Sequence, residues 1–123
     1  MNKKTLYERL GGYDAIASVA NNLLPRMQAD AQLGRFYQHR GEDGLRRSRQ
    51  LLIDFLCSSA GGPVYYTGRD MKITHKGMKI SESDWSAFWG HLNATLEALE
   101  VAQAERDEIA ALMQSTKADI VEA

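Results

Sequence analysis

The sequence predicts an all-α protein with one domain over residues 1–123. Apolar residues recur at intervals of three and four, glycine pairs separate the segments with this spacing, and no segment shows the sustained alternation of a half-buried strand. A length of 123 residues suits a single core, because domains of roughly 100–150 residues are the commonest. We expect about five or six helices.

The composition excludes several classes of function. The chain has 15 Lys+Arg and 16 Asp+Glu, with a formal net charge of −1. This balance excludes a general basic surface for nucleic acid, and no polybasic cluster is present to bind an anionic membrane. No apolar run is long enough for a membrane span or a signal peptide, and the lone Cys57 excludes an intramolecular disulfide. We therefore expect a cytoplasmic protein that binds neither nucleic acid nor membrane.

The first two helices follow from a capping motif and a pair of glycines. Thr5 and Glu8 have the spacing of a capping box, in which each side chain bonds the backbone N–H of the other residue. This helix should end at Gly11-Gly12, and Asp14 can cap the next one. The second helix carries apolar residues at helical spacing, namely Ile16, Val19, Ala20, Leu23 and Met27.

The middle of the chain contains a short apolar stretch and then a longer helix. Leu33, Phe36 and Tyr37 predict one or two helical turns, and a charged loop from Gln38 to Gly44 should follow. The next helix should end at Gly61-Gly62-Pro63. One stripe of this helix, mostly apolar, is marked by Leu45, Leu52, Phe55, Leu56 and Ser59.

The last part predicts a loop and three further helical segments. A loop is expected from Pro63 to Arg69, and a short turn of helix from Met71 to His75. Ser81 or Ser83 can cap a strong helix with Trp85, Phe88, Trp89, Leu92, Leu96 and Leu99 on one face. A last helix from about Gln103 carries Ile109, Leu112, Met113 and Ile120.

The soft metal ligands are few, and their spacing matches no zinc motif. They are His39, His75, His91 and Cys57. Of these, His75 lies between Met71 and Met78, in apolar surroundings. Such a histidine is either a core residue or the axial ligand of a large apolar cofactor such as haem, with a backbone carbonyl one turn earlier orienting its second nitrogen. The residues alone leave both alternatives open.

Four segments of the sequence resemble the truncated haemoglobins of group I. They are residues 5–12 (TLYERLGG), 30–33 (DAQL), 61–63 (GGP) and 66–77 (YTGRDM…HKG), in the same order and over nearly the whole chain. The last segment is the most specific. The resemblance implies a globin-like fold, a truncated two-over-two helical sandwich around haem b and its iron, in which the first globin helix is almost absent.

The resemblance also implies roles for individual residues. His75 is implied to be the proximal iron ligand, and Arg49 and Tyr66 to reach the haem propionates. Further haem contacts would be Phe36, Met71, Ile80, Trp85, Phe88 and Leu92. The helical wheel supports part of this set independently, because Trp85, Phe88 and Leu92 share one stripe. His91 falls off that stripe, and His39 lies in the charged loop, so we expect neither to bind the iron.

The ligand-binding side departs from the family pattern. Leu24 occupies the position of a ligand-binding tyrosine, and the distal-helix positions hold Ser48, Leu51 and Leu52. Gln50 is expected to point away from the apolar stripe of its helix. The distal pocket should therefore be apolar, with Tyr37 and Ser48 as the hydroxyls near the sixth coordination site. Tyr37 is the preferred hydrogen-bond donor, because a phenol reaches farther than a serine hydroxyl.

These expectations predict reversible binding of oxygen, nitric oxide or carbon monoxide, for oxygen transport or sensing. One alternative is a haem redox enzyme, a nitric-oxide dioxygenase or a peroxidase-like protein, served by a separate reductase. An apolar pocket puts dioxygenation in doubt, because that reaction needs long-lived oxygen binding and oxygen gains more than carbon monoxide from a hydrogen bond. A helical interaction module without a cofactor is the other alternative, and it requires His75 to be a plain core residue.

Overall fold

The computed structural model describes residues 4–38, 41–63, 66, 71 and 75–122, and over these residues every regular element is helical. The elements are α1 (Leu6–Leu10), α2 (Tyr13–Ala29), a 3-10 turn (Gly34–Phe36), α3 (Glu42–Ser59), α4 (Glu82–Ala98), α5 (Gln103–Gln114) and α6 (Lys117–Ile120). Met71 and His75 also have helical backbone. The prediction of an all-α fold is confirmed. No helix within the described ranges combines the length and the apolar character needed to cross a bilayer.

The core forms where α2 packs against both α3 and α4, while α1 packs on α2 and α5. Fully burying a Leu or Ile side chain contributes about 1.5–3 kcal/mol, so each buried aliphatic side chain of this contact adds substantially to the stability of the fold. Cys57 is fully buried within it. The buried members of the core are Leu6, Ile16, Val19, Ala20, Leu23, Ile53, Cys57, Ala60, Leu92, Leu96, Ile109 and Met113.

The predicted capping box at Thr5 and a cap at Ser81, one of the two serines predicted for this role, set the starts of α1 and α4. Thr5 Oγ1 accepts from the backbone N–H of Glu8 at 3.1 Å, and the Glu8 carboxylate accepts from the N–H of Thr5 at 3.3 Å. Ser81 and Asp84 form the same reciprocal pair at the start of α4, at 2.9 and 3.1 Å. The proposed cap at Asp14 is wrong, because α2 begins at Tyr13 after Gly12 and places Asp14 in its first turn.

Two predicted boundaries differ from the structure. The helix α3 begins at Glu42, inside the segment predicted as a loop. Two acidic side chains in its first turn interact favourably with the positive end of the helix dipole, and this outweighs the low helix propensity of Gly44. The predicted last helix divides at Ser115 and Thr116. Their hydroxyls donate to the carbonyls of Leu112 and Met113, both at 2.6 Å, and so compete with the backbone bonds of a continuous helix.

The glycine pair after α3 allows α1 to approach the end of that helix. Gly61 has φ +87°, a left-handed conformation that favours glycine. The backbone N–H of Tyr7 donates to the carbonyl of Ala60 at 2.9 Å. The Tyr7 ring lies so close to Gly62 that a Cβ there would meet Tyr7 Cδ2 at 2.5 Å. Gly62 is therefore required by packing.

Gly62→Ala should destabilise the protein by about 1–3 kcal/mol, because the added methyl overlaps the Tyr7 ring. The matched control is Gly90→Ala on the exposed side of α4, where a Cβ would meet no atom within 4 Å. That change should stabilise the helix by about 0.5–1 kcal/mol. Equilibrium urea denaturation followed by circular dichroism measures both. Equal effects of the two substitutions would contradict the described contact between Tyr7 and Gly62.

Candidate functional site

A cavity of about 270 Å³ lies between α2, the 3-10 turn, α3, α4 and the helices that end the chain. Its volume is near the lower end of the roughly 300–1,000 Å³ that is typical of small-molecule pockets. The helical residues Met71 and His75 form part of its wall. Its lining is mainly aliphatic, aromatic and thioether side chains, so the cavity suits a large apolar ligand.

The structure brings most of the predicted site residues together around this cavity. They come from segments far apart in the sequence, and the packing of α2, α3 and α4 places them on a common wall. The cavity is lined by His75, by the predicted distal residues Leu24, Tyr37, Ser48, Leu51 and Leu52, and by the predicted cofactor contacts Phe36, Tyr66, Met71, Ile80, Trp85 and Phe88.

Two predicted contacts lie elsewhere. Leu92 is one turn beyond Phe88 and is buried in the core cluster. Arg49 lies on the exposed side of α3, where its Nη1 donates to Asn21 Oδ1 at 3.2 Å. Neither side chain lines the described cavity.

Several lining residues were not predicted from the sequence. Phe55 could have been found, because it continues the stripe of Ser48, Leu51 and Leu52 by one turn of α3. Its ring packs edge-on against Tyr66, with centroids 5.4 Å apart. The other unpredicted lining residues depend on tertiary packing and are Leu23, Met27, Leu33, Met78, Asp84, Met113, Thr116 and Ile120.

All four described methionines line the cavity, although they come from distant parts of the chain. They are Met27, Met71, Met78 and Met113. Methionine has three rotatable bonds and a polarizable sulfur, so it adapts to an irregular apolar surface. This wall can therefore adjust its shape to a ligand.

The geometry of His75 leaves one ring nitrogen available for a metal. Its Nδ1 lies 2.8 Å from the carbonyl oxygen of Met71, one helical turn earlier. A carbonyl can only accept, so Nδ1 carries the proton and the neutral ring has its lone pair on Nε2. This confirms the prediction that a backbone carbonyl one turn earlier orients the imidazole. The same arrangement fixes the tautomer of histidines that bind metals.

His91 is engaged elsewhere. Its Nε2 lies 2.6 Å from Asp30 Oδ2, and the other carboxylate oxygen accepts from the N–H groups of Gln32 and Leu33 at 2.7 and 3.0 Å. The bond from His91, followed by those two backbone bonds, lowers the pKa of Asp30. His39 lies outside the described residues.

A buried carboxylate joins the 3-10 turn to the start of α4. Asp84 is 2% exposed. It accepts from Arg35 Nη2 and Gln32 Nε2, both at 2.7 Å, in addition to its bond with Ser81. The Arg35 guanidinium holds the pKa of this carboxyl well below its usual range, with further contributions from Ser81 and Gln32. Arg35 also lies over the Phe36 ring, 4.2 Å from its centroid, so this cluster steadies the turn that carries Phe36 into the cavity wall.

The amide of Gln50 points away from the cavity, as expected. Its Nε2 donates to the hydroxyl of Tyr13 and to Asp54 Oδ1, both at 2.9 Å. The hydroxyl-bearing residues of the described lining are Tyr37, Ser48, Tyr66 and Thr116. The Thr116 hydroxyl donates to the carbonyl of Met113, near the end of α5.

These features fit a haem. The apolar and aromatic walls match the faces of a porphyrin, and a single imidazole with a defined tautomer matches an axial ligand of its iron. Within the described part of the chain, no three His, Cys, Asp or Glu side chains form a metal site of their own.

Comparisons with known proteins show the family to which this chain belongs. Residues 5–122 match the family model of bacterial-like globins. The group 1 truncated hemoglobin of Tetrahymena pyriformis is 32% identical over 98% of both chains, and that of Mycolicibacterium paratuberculosis is 32% identical over 85% of this chain and 75% of the relative.

Solved structures give the same result. The crystal structure of truncated hemoglobin from Tetrahymena pyriformis in the Fe(III) form has a TM-score of 0.87 and 30% identity, with coverage of 98% of this chain and 100% of the other. The 2/2 hemoglobin from Synechococcus sp. PCC 7002, solved in the cyanomet state with covalently attached heme, has a TM-score of 0.83 and 25% identity, with coverage of 93% and 94%. This chain therefore belongs to the bacterial-like globin family and, within it, to the group 1 truncated haemoglobins, whose cofactor is haem iron.

Proposed function

We propose that residues 1–123 form one globin domain that reversibly binds a diatomic gas, with His75 as the proximal ligand of haem iron. The observation that carries this proposal is the bond from His75 Nδ1 to the Met71 carbonyl at the wall of an apolar cavity. Haem, when bound, would supply an iron that binds the His75 imidazole and a diatomic gas such as oxygen, nitric oxide or carbon monoxide.

The surrounding side chains would hold the porphyrin and exclude water. Phe36, Trp85 and Phe88 supply aromatic surface, and Met71 and Ile80 supply aliphatic and thioether contacts. Leu92 would support this wall from the core, behind Phe88.

Two polar side chains would reach the propionates at the edge of the porphyrin. Tyr66 lines the cavity, and its hydroxyl would be one of these groups. Arg49 would exchange its bond with Asn21 for a propionate, which its exposed position on α3 allows.

The distal wall would combine apolar exclusion of water with one or two hydroxyls. Leu24, Leu51 and Leu52 give this side its apolar surface, and Tyr37 and Ser48 give it hydrogen-bonding capacity. The apolar part of this wall favours simple gas binding over nitric-oxide dioxygenation, because it offers bound oxygen no hydrogen bond and that reaction requires oxygen to stay bound for longer.

The proposed biological role is oxygen transport or gas sensing in the cytoplasm. The nearly neutral net charge of −1 supports a protein without nucleic-acid or membrane partners. A reductase partner is needed only for the redox alternative, in which the iron must be returned to the ferrous state. Measuring nitric oxide consumption in the presence of a reductase separates that alternative from gas binding.

The absorption spectrum of the purified protein tests the proposed function. We expect a Soret band, a five-coordinate ferrous spectrum without added ligand, and a change to a low-spin spectrum with carbon monoxide. Five-coordination is expected because His91 is paired with Asp30. Sharp low-spin visible bands before ligand is added would reveal a second protein ligand. A protein that purifies without haem and does not bind added haem would overturn the proposal.

A further inference from the structure

The segment that follows His75 makes a turn through two left-handed residues. Gly77 has φ +85° and Lys79 has φ +55°. The left-handed region is open to glycine but unfavourable for lysine, so the conformation of Lys79 needs support from its surroundings. Backbone N–H groups in such a turn can converge on a concave site for an anion.

A carboxylate from the end of the described chain occupies this concave site. Glu122 Oε2 accepts from the N–H of Gly77 at 3.1 Å, and Oε1 accepts from the N–H of Lys79 at 3.0 Å. The backbone N–H of Glu122 donates to the carbonyl of Ile80 at 2.9 Å. Three hydrogen bonds therefore join this one residue to the turn at residues 76–80. The bonds from Gly77 and Lys79 lower the pKa of Glu122, which favours its charged form.

The same turn is continuous with the cavity wall. Met78 and Ile80 both line the cavity, and the N–H of Met78 donates to the carbonyl of His75 at 3.2 Å. On the other side of the contact, Ile120 of α6 lines the cavity as well. The bonds to Glu122 therefore join the residues directly after His75 to those directly after α6.

We propose that Glu122 is a positioning residue for His75. By holding the turn at residues 76–80, it sets the orientation of the imidazole and hence the strength of its bond to iron. This inference rests on the proposed function, because it requires His75 to be the proximal ligand. Glu122 itself does not contact the gas.

The test compares Glu122→Ala and Glu122→Gln with the control Glu97→Ala, which removes an exposed carboxylate from α4. The first readout is amide hydrogen exchange at Gly77 and Lys79. Loss of a hydrogen bond to a charged group should speed their exchange by roughly 10-fold or more in Glu122→Ala. Glu122→Gln retains one acceptor oxygen and should have an intermediate effect. The control should leave both amides unchanged.

The second readout is the iron–histidine stretching band in the resonance Raman spectrum of the ferrous, ligand-free protein. We expect the band to shift or broaden in Glu122→Ala, less so in Glu122→Gln, and not in the control. If the parent protein lacks this band, the assignment of His75 has failed and the inference fails with it. If the parent has the band and both Glu122 variants keep it unchanged, the inference alone is overturned. Should the alanine variant not fold, the glutamine variant decides the outcome.

Discussion

Replacement of His75 by alanine or glycine should abolish stable retention of haem. The structure engages the other described imidazole with Asp30 and leaves Nε2 of His75 as the nitrogen able to bind iron at the cavity. Loss of an outer-shell partner of a metal ligand typically costs 10–100-fold in affinity, so loss of the ligand itself should exceed roughly 100-fold. The ratio of Soret to protein absorbance after gel filtration, together with the rate of haem transfer to an acceptor globin, measures the effect.

Two comparisons make this experiment specific. In His75→Gly the space left by the ring can admit free imidazole, which should partly restore the five-coordinate ferrous spectrum. The control is His91→Ala, which removes an imidazole of the same size and should retain haem, because His91 pairs with Asp30. A Soret band of unaltered position and intensity in His75→Ala would show that the proximal assignment is wrong.

Replacement of Tyr37 by phenylalanine should accelerate oxygen release by roughly 10-fold or more. Tyr37 lies directly after the 3-10 turn and lines the cavity beside Phe36. Its phenol reaches farther than the Ser48 hydroxyl, so we expect it to be the donor to a gas on the distal side. A hydrogen bond to a partly charged acceptor is worth about 1.5–3 kcal/mol, which corresponds to a change of this size in the dissociation rate.

Stopped-flow measurement of oxygen and carbon monoxide release decides the role of Tyr37. Carbon monoxide carries less partial charge when bound, so its release should change far less than that of oxygen. Ser48→Ala is the matched control, because it removes the other proposed distal hydroxyl without altering an aromatic ring. Equal oxygen release in Tyr37→Phe and the parent would leave Tyr37 as a packing residue, whose ring faces the haem and whose hydroxyl faces water.

The sequence by itself determined the features that depend on neighbouring residues. The capping box at Thr5 and a cap at Ser81 could be predicted because each forms within one helical turn. The bond from His75 to Met71 could be predicted for the same reason, since residues four apart in a helix lie one above the other. The all-α fold and the resemblance to the truncated haemoglobins also follow from residue spacing and local motifs.

Some local patterns were ambiguous until competing interactions were placed in space. Asp14 has the chemistry of a cap but lies inside α2, because the glycine pair lets that helix begin earlier. Gly44 suggests a loop, yet it lies within α3, because the acidic first turn stabilises the start of that helix. Ser115 and Thr116 divide the last helix because their hydroxyls bond the preceding carbonyls. In each case two local preferences compete, and their balance is not visible from spacing alone.

Only the tertiary structure decided which distant residues meet. Asp84 bonds Arg35 across 49 positions, and Glu122 bonds Gly77 across 45. The angle and register at which α2, α3 and α4 pack set such contacts, and they also turn Leu92 into the core and Arg49 toward water. A helical pattern specifies which side of a helix is apolar, but the burial of that side against the core or against a cofactor depends on the elements packed around it.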